Sequence, residues 1–418
     1  MPRSILTADQ HQNLIQRKYD ANFRLTGYWD LWDVAPLFNV PSCVLFAEQS
    51  LRHGTAKESI PVEIWQGHLP GRDLPWDKVA DSFSITKAKA RVIWLGKHSA
   101  MSIGLGSKSA TSPSPYAKAF KNGATIYPRN LYFVSVDDLD SKPDPDRLYS
   151  VKTDEENALD SKPPYKEVRL SGNIEGRFLF SSAISRHVLP FVLLKPSSVV
   201  LPLEESNGSY YTMTTHEIRR KGYREFAKWM EQVEKIWNEK RGAKSGRQSV
   251  IQRIDYQRGL TAQSPRHRHL VLYNAAGTNV SATYCDRKAL NLSLLVEHKL
   301  YWAAFHNPAE AYYVTAVLNS TSVNEIIKPF QSTGLLGERD IEKKLLDVPI
   351  PMFNSEISLH RKLSELGYDA HRQAQIVISD QNFPADGSLA RQRACVRTAL
   401  GETMAEIDAL VRKLLILD

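Results

Sequence analysis

The sequence predicts an α+β fold, strand-rich through its middle and helical at its C-terminal end. Three patterns support this reading. Tyr28-Trp29-Asp30-Leu31-Trp32-Asp33-Val34 alternates with period two, as a half-buried strand does. Tyr223, Phe226, Trp229, Met230, Val233, Ile236 and Trp237 recur at helical spacing, which sets one apolar face opposite a basic one. Leu400, Met404, Ile407, Val411 and Leu414 form a second stripe at that spacing. At 418 residues the chain holds two to three domains of ordinary size, and a hydrophobic content of 42% suffices for packed cores.

Residues 5–19 suit a short amphipathic helix that Thr7 or Asp9 can cap. The alternating strand ends at Pro36, and Ser42-Cys43-Val44-Leu45-Phe46-Ala47 is a second, almost wholly apolar strand. Two strands joined by so short a connection read as a hairpin on the edge of a larger sheet, and this segment holds too few strands to supply the rest. Further strands are expected at residues 91–95, 124–136, 166–170 and 188–194. Turn-rich stretches such as Gly104-Leu105-Gly106-Ser107 and Lys142-Pro143-Asp144-Pro145 lie between them. The amphipathic helix runs into Arg241-Gly242-Ala243-Lys244-Ser245-Gly246-Arg247, a flexible basic loop. Strands resume near residues 270–273 and 294–303. Helices follow at 311–318, 357–379 and 398–417, the last closing the domain. Boundaries are expected at 1–90, 91–305 and 306–418.

Charge is unevenly placed. The chain has a net charge of +8, and residues 215–269 hold fourteen Lys or Arg against six Asp or Glu, which is also +8. Residues 137–160 hold nine acids against three bases, or −6, and read as an exposed loop. A concentrated positive region suits a polyphosphate, because each neutralised phosphate releases a condensed counterion; the bland reading is a solvated helix face. No run of about 18 apolar residues suggests a transmembrane helix, and MPRSILTADQHQNL lacks a signal-peptide core. Cys43, Cys285 and Cys395 form no metal pair or disulfide framework, which fits a reducing cytoplasm.

Residues 309–351 are the most specific stretch. A short apolar helix leads into a Gly-punctuated loop carrying Lys328, Gln331, Arg339, Lys343 and Lys344, and Pro349 and Pro351 stop it. Gly334 and Gly337 let backbone approach a surface closely, and the polar side chains offer donors to base edges or phosphates. A plain structural turn is the alternative. Arg266-His267-Arg268-His269 is read evenly as a phosphate grip or as an exposed strand start. Two histidines at that spacing without carboxylate or cysteine partners are poor metal ligands. Asp340-Ile341-Glu342-Lys343-Lys344 has a nuclease-like Glu-x-Lys that chance readily produces.

This loop resembles the C-terminal target-recognition region of N6-adenine DNA methyltransferases from restriction–modification systems. The opening Met1-Pro2-Arg3-Ser4-Ile5-Leu6-Thr7 resembles the segment after that family's catalytic motif. Leu37-Phe38-Asn39-Val40-Pro41-Ser42-Cys43-Val44-Leu45-Phe46 resembles its last methyltransferase hairpin. Residues 121–133, with Arg129, resemble the start of its recognition domain, and Gly334-Leu335-Leu336-Gly337-Glu338-Arg339-Asp340-Ile341 with the 406–411 helix completes the order. The resemblance implies an edge hairpin remnant of a Rossmann-like methyltransferase sheet, then a mixed strand-rich and helical recognition domain. It implies duplex DNA contact through Arg129, Lys328, Gln331, Arg339, Lys343 and Lys344, and the concentrated charge of the basic stretch adds Arg241, Lys244 and Arg247.

Such an enzyme needs a Gly-rich turn for S-adenosylmethionine and an (Asp/Asn)-Pro-Pro-aromatic motif for the flipped base. Gly104-Leu105-Gly106 follows no convincing strand. Lys162-Pro163-Pro164-Tyr165 puts a cation where a hydrogen-bond acceptor must stand. The expectation is therefore that this chain has no catalytic, cofactor-binding or metal residues, recognises duplex DNA, and needs a polypeptide with the N-terminal methyltransferase half for methyl transfer. A split subunit and a truncated gene product are equally compatible with that. The alternatives are a stand-alone DNA-binding specificity protein and, more weakly, a nuclease.

Overall fold

The computed structural model describes residues 1–71, 73–103, 113–137, 139, 141–242, 248–334 and 337–415. β1 (Phe23–Ala35) and β2 (Cys43–Gln49) form the expected antiparallel hairpin, with Trp29 opposite Val44. Their neighbours come from the same segment, contrary to expectation. β3 (Ile60–His68) runs parallel to β1, and β4 (Phe83–Leu95) and β5 (His98–Ile103) complete a sheet in the order β2-β1-β3-β4-β5. Residue 90 lies inside β4. One face buries Tyr28, Val62, Val92 and Met101 against Ile5, Leu6 and Ile15. The other carries Trp29, Trp65 and Phe83 in edge and tilted contacts.

The expected 5–19 helix is broken into two 3-10 turns and α1 (Gln12–Ile15). Tertiary bonds override its periodicity. Gln12 accepts from the Ser99 backbone N–H at 2.8 Å, and Asp9 takes His98 Nδ1 at 2.7 Å instead of capping a helix.

After residue 113 the strands form several small sheets. β6 (Lys121–Asn122) is the edge strand of a sheet ordered β17-β16-β19-β6, built with β16 (His269–Asn274), β17 (Ala282–Asp286) and β19 (Leu300–Phe305). β7 (Val134–Val136), β8 (Leu148–Thr153) and β9 (Ser171–Glu175) form a second sheet. β10 (Leu179–Ala183), β13 (Ser197–Val200) and β18 (Leu294–Val296) form a third. β11 (Val188–Leu189) with β12 (Val192–Leu193) and β14 (Leu203–Ser206) with β15 (Ser209–Thr212) are small hairpins.

Residues 124–136 are mostly irregular, although expected as a strand. Pro128 offers no N–H to a ladder, and Ile126, Leu131, Tyr132 and Phe133 are buried on every side. The strand expected at 166–170 sits slightly later, as β9. Residues 294–303 turn at Glu297 and split into β18 and β19. The acidic stretch expected as a loop contains β8 and α2 (Glu155–Leu159), whose Asp154 cap accepts from the Asn157 backbone N–H.

α3 (Thr215–Arg220) and α4 (Arg224–Lys240) follow. α4 buries Phe226, Trp229, Met230, Val233 and Trp237, as its spacing foretold, each stabilising by roughly 1.5–3 kcal/mol. Trp229 donates its indole N–H to the Leu131 carbonyl at 3.2 Å, which ties α4 to the irregular segment. α5 (Val250–Ile254) is a short capped helix. α6 (Pro308–Asn319), capped by Asn307, packs between the β16 sheet and α8 (Ser358–Ser379). Gly367 permits that approach, because a Cβ there would strike the Tyr312 carbonyl. α7 (Thr321–Ile327) precedes the Gly-punctuated loop. The helix expected at 398–417 is interrupted at Leu400, giving α9 (Leu389–Ala399) and α10 (Gly401–Leu414). Among the described residues the fold is mixed α+β without a closed barrel, and no helix is long and apolar enough to cross a membrane.

Candidate nucleic-acid interface

The Gly-punctuated loop folds back as a two-residue hairpin, β20 (Thr333–Gly334) and β21 (Gly337–Glu338), against the first sheet. Leu335 and Leu336 lie outside the described residues. Gln331 is buried. Its amide donates to the Gly277 carbonyl at 2.9 Å and the Arg339 carbonyl at 3.0 Å, so it fastens the loop to the β16–β17 turn. Lys344 is only 3% exposed, with its ammonium 3.3 Å from the Asp340 carbonyl and 3.6 Å from Asp9. Asp9 also holds His98, which stands 3.4 Å from Asp347. Burial raises the Asp347 carboxyl above its ordinary range, against the pull of His98 and Lys97. These ionic contacts, with Asp9 at the solvent side and Lys344 and His98 buried, seat the loop beside β5.

Two of the loop's backbone positions are left-handed. Asp340 has φ +56° and Glu342 φ +39°. Such positions cost about 1–3 kcal/mol each and persist where surrounding bonds over-determine them. Here the Glu342 N–H donates to the Ala275 carbonyl at 2.9 Å, and the Asp340 carboxylate accepts from Ser332. The loop so held is a platform that carries Lys328, Arg339 and Lys343, all exposed. Arg339 lies across Gly334, where a Cβ would stand 2.7 Å from its Nε.

The platform faces the end of β1. Trp32, 37% exposed, lines cavities on two sides. One, of about 280 Å³, includes Arg3, Tyr28, Lys328 and Glu338; the other, of about 390 Å³, includes Phe38, Val40 and Gly334. Arg3 stacks on Trp32 at 4.4 Å and bonds Asp30 at 2.9 Å. Trp32 and Phe38 were absent from the sequence-based set, although the aromatic density of Tyr28-Trp29-Asp30-Leu31-Trp32 pointed toward them. An exposed indole between cations suits stacking on a base and pairing with phosphates.

Other expected contacts lie elsewhere. Arg129 sits between Asp160 at 3.0 Å and the buried Glu297 at 3.3 Å. Burial alone would raise the Glu297 carboxyl; His298, Arg129 and the Lys299 N–H hold it below the usual range. Arg241 is half-buried and donates to the Gln248 carbonyl at 2.9 Å, closing the basic loop, while Lys244 and Arg247 fall outside the described residues. In the basic stretch Lys228 pairs with Glu225 at 2.7 Å, Arg219 with Glu231 and Lys221 with Glu204. Arg220, Arg224, Lys235 and Arg258 stay exposed with no ion pair among the described residues. Tyr165 of the Lys-Pro-Pro-Tyr run is buried, stacked on Trp237 at 6.2 Å, so it has no free face for a base.

No protein-family model matches the chain, and no curated protein matches it. Among solved structures, the Type IIL restriction-modification enzyme MmeI in complex with DNA is similar, at 12% identity and a TM-score of 0.54, over 99% of this chain and 46% of that one. The Type IIG restriction endonuclease BpuSI is aligned at 12% identity over 99% of this chain and 47% of that one; its TM-score of 0.31 is too low to support an argument. The chain thus spans about half the length of each. At this identity the first likeness establishes a shared fold.

Proposed function

We propose that this chain binds duplex DNA and recognises its target as part of a site-specific adenine-N6 DNA methyltransferase of restriction–modification type. The observation that carries the proposal is the fold held in common, over 99% of the chain, with an enzyme solved on DNA. The cavity in which Arg3 and Lys328 flank Trp32 supports it, and Arg339 lies across Gly334, which lines the cavity on the other side of that ring. The β1–β2 hairpin is read as the edge on which a polypeptide with the N-terminal methyltransferase half would dock.

Methyl transfer requires S-adenosylmethionine and an acceptor-bearing motif around the extruded base. The Lys162-Pro163-Pro164-Tyr165 run does not fit that need, since its cation cannot accept and its ring is in the core. The chemistry is accordingly assigned to a polypeptide segment that bears an (Asp/Asn)-Pro-Pro-aromatic motif. Titration of the chain with labelled duplex DNA and, separately, calorimetry with S-adenosylmethionine test the assignment. The expected result is salt-dependent duplex binding without cofactor binding. Micromolar cofactor binding would move the chemistry onto this chain, and absence of duplex binding at low salt would overturn the recognition role.

A further inference from the structure

A second concave surface lies at the opposite end of β16 from the platform. The turn from Ser264 to His269, with Phe305 and His306 at the end of β19, encloses a cavity of about 430 Å³. Its lining holds Arg266, Arg268, His267, His269 and His306, and no carboxylate. The nearest acid is already engaged: Asp286 accepts from Arg268 Nε at 3.0 Å and Nη2 at 2.7 Å. Arg266 rests on the Asn207 carbonyl, with Gly208 leaving room for its stem, and has no carboxylate among the described residues. Lys121, on β6, stands 5.8 Å from the Trp302 ring centroid and has no acidic partner there either.

His267 sits at the centre. Its ring lies 6.2 Å from Trp302, and its Nδ1 is buried without a hydrogen-bond partner among the described residues. Burial first, then the charges of Arg287, Lys121 and His306, hold its imidazole below the ordinary histidine range. Arg287 braces the turn from behind, donating to the Ser264 carbonyl at 2.6 Å and the His267 carbonyl at 3.2 Å. Arg266 and Lys121, neither with an acidic partner among the described residues, stand about an unsatisfied ring nitrogen, which suits an anion with several acceptor oxygens.

We infer that this cavity holds a backbone phosphate of the duplex, gripped by Arg266, Lys121 and His267, as an anchor separate from the base-reading platform. The inference rests on the DNA-binding reading above. β16 has six residues, so its ends stand about 17 Å apart, the rise of about five base pairs. A duplex lying along that direction would meet both surfaces. A phosphate contact fixes register and orientation without conveying sequence.

The test uses the full chain with Arg266→Gln and Lys121→Gln as single variants, both at exposed positions, and Arg268→Gln as a control whose guanidinium is already paired. Anisotropy titrations on one duplex run from about 50 to 200 mM salt, with a binding-site selection on each variant. Each of the two test variants should bind about fivefold more weakly near 0.15 M salt, with a log–log slope shallower by about one unit and an unaltered sequence profile. Arg268→Gln should leave the slope unchanged. A parallel arm follows the His267 ring resonances during addition of inorganic phosphate, which should shift them. If wild-type binds duplex and the two variants keep its slope, the anchor is refuted while the DNA-binding reading stands. If wild-type binds no duplex yet phosphate moves His267, the cavity is a free-phosphate site and both DNA readings fall. If neither duplex nor phosphate binds, the anion site itself is refuted.

Discussion

Replacing Arg339 with Ala removes the planar fork best placed on the loop platform to read a guanine. The side chain is exposed, crosses Gly334, and makes no ion pair with Glu338 or Asp340 among the described residues, because the Asp340 carboxylate is taken by Ser332. Its main chain bears the structural load instead. The Arg339 N–H donates to the Ser332 carbonyl at 2.9 Å, and its carbonyl accepts from Gln331 at 3.0 Å, and both survive the substitution. Stability should therefore change by less than about 0.5 kcal/mol, as for an unpaired surface residue. A bidentate guanine contact is worth about 1–3 kcal/mol, so affinity for the preferred site should fall by about 5- to 150-fold, with specificity relaxed at one base pair. Arg339→Lys keeps the charge and loses the fork, and should also relax that position. Gly334→Ala should behave as a partial copy, because its Cβ would stand 2.7 Å from the Arg339 Nε and push the guanidinium aside. Melting temperature and a binding-site selection profile are measured on the same preparations. An even loss of affinity across all sequences would assign Arg339 to phosphate, and a destabilised protein with an unaltered profile would refute the base-reading role.

Three further outcomes follow from the buried charges. Arg129→Ala takes the 3.3 Å guanidinium from buried Glu297 but leaves it His298 at 2.7 Å and the Lys299 N–H at 2.9 Å, so it should cost about 1–3 kcal/mol in chemical denaturation, with the sequence profile of the remaining folded protein unchanged. His187 is driven down to about 3, by burial first and then by Arg186 and Arg129, so folding favours its neutral form. That stability is complete above about pH 6.5 and is lost as pH falls toward 3. The loss should reach about 2 kcal/mol by pH 5 and be much reduced in His187→Gln; equal pH dependence in both proteins would exclude His187 as the cause. Asp9→Asn should loosen the seat of the loop by weakening its bonds to His98 and Lys344, raising amide exchange near residues 337–344 ahead of global unfolding. Unchanged exchange there would show that the backbone bonds suffice.

The parts of the fold legible in sequence are those with one wet and one dry face. β1, α4 and α8 lie close to their expected positions because their periodicity is imposed by half-burial. Residues 124–136 defeated that logic, since apolar residues buried all round read alike in a strand and in packed irregular chain. The 5–19 segment had helical spacing, yet Gln12 and Asp9 were claimed by Ser99 and His98 far along the chain. The same cause limited the site. Gln331 and Lys344 look like free donors in a polar loop, and only the fold reveals the Gly277 carbonyl and Asp9 that bury them. Trp32 was missed for another reason: alternation shows that a strand is half-buried but not which face meets a cleft, and the structure leaves the ring in a cleft wall.

Binding-site selection from a random duplex library, performed on the whole chain at moderate salt, tests the recognition role most directly. The account predicts enrichment of one short motif, loss of a single position from it in Arg339→Ala, and retention of the full motif in Arg266→Gln. A folded chain that enriches no sequence at any salt concentration would contradict it.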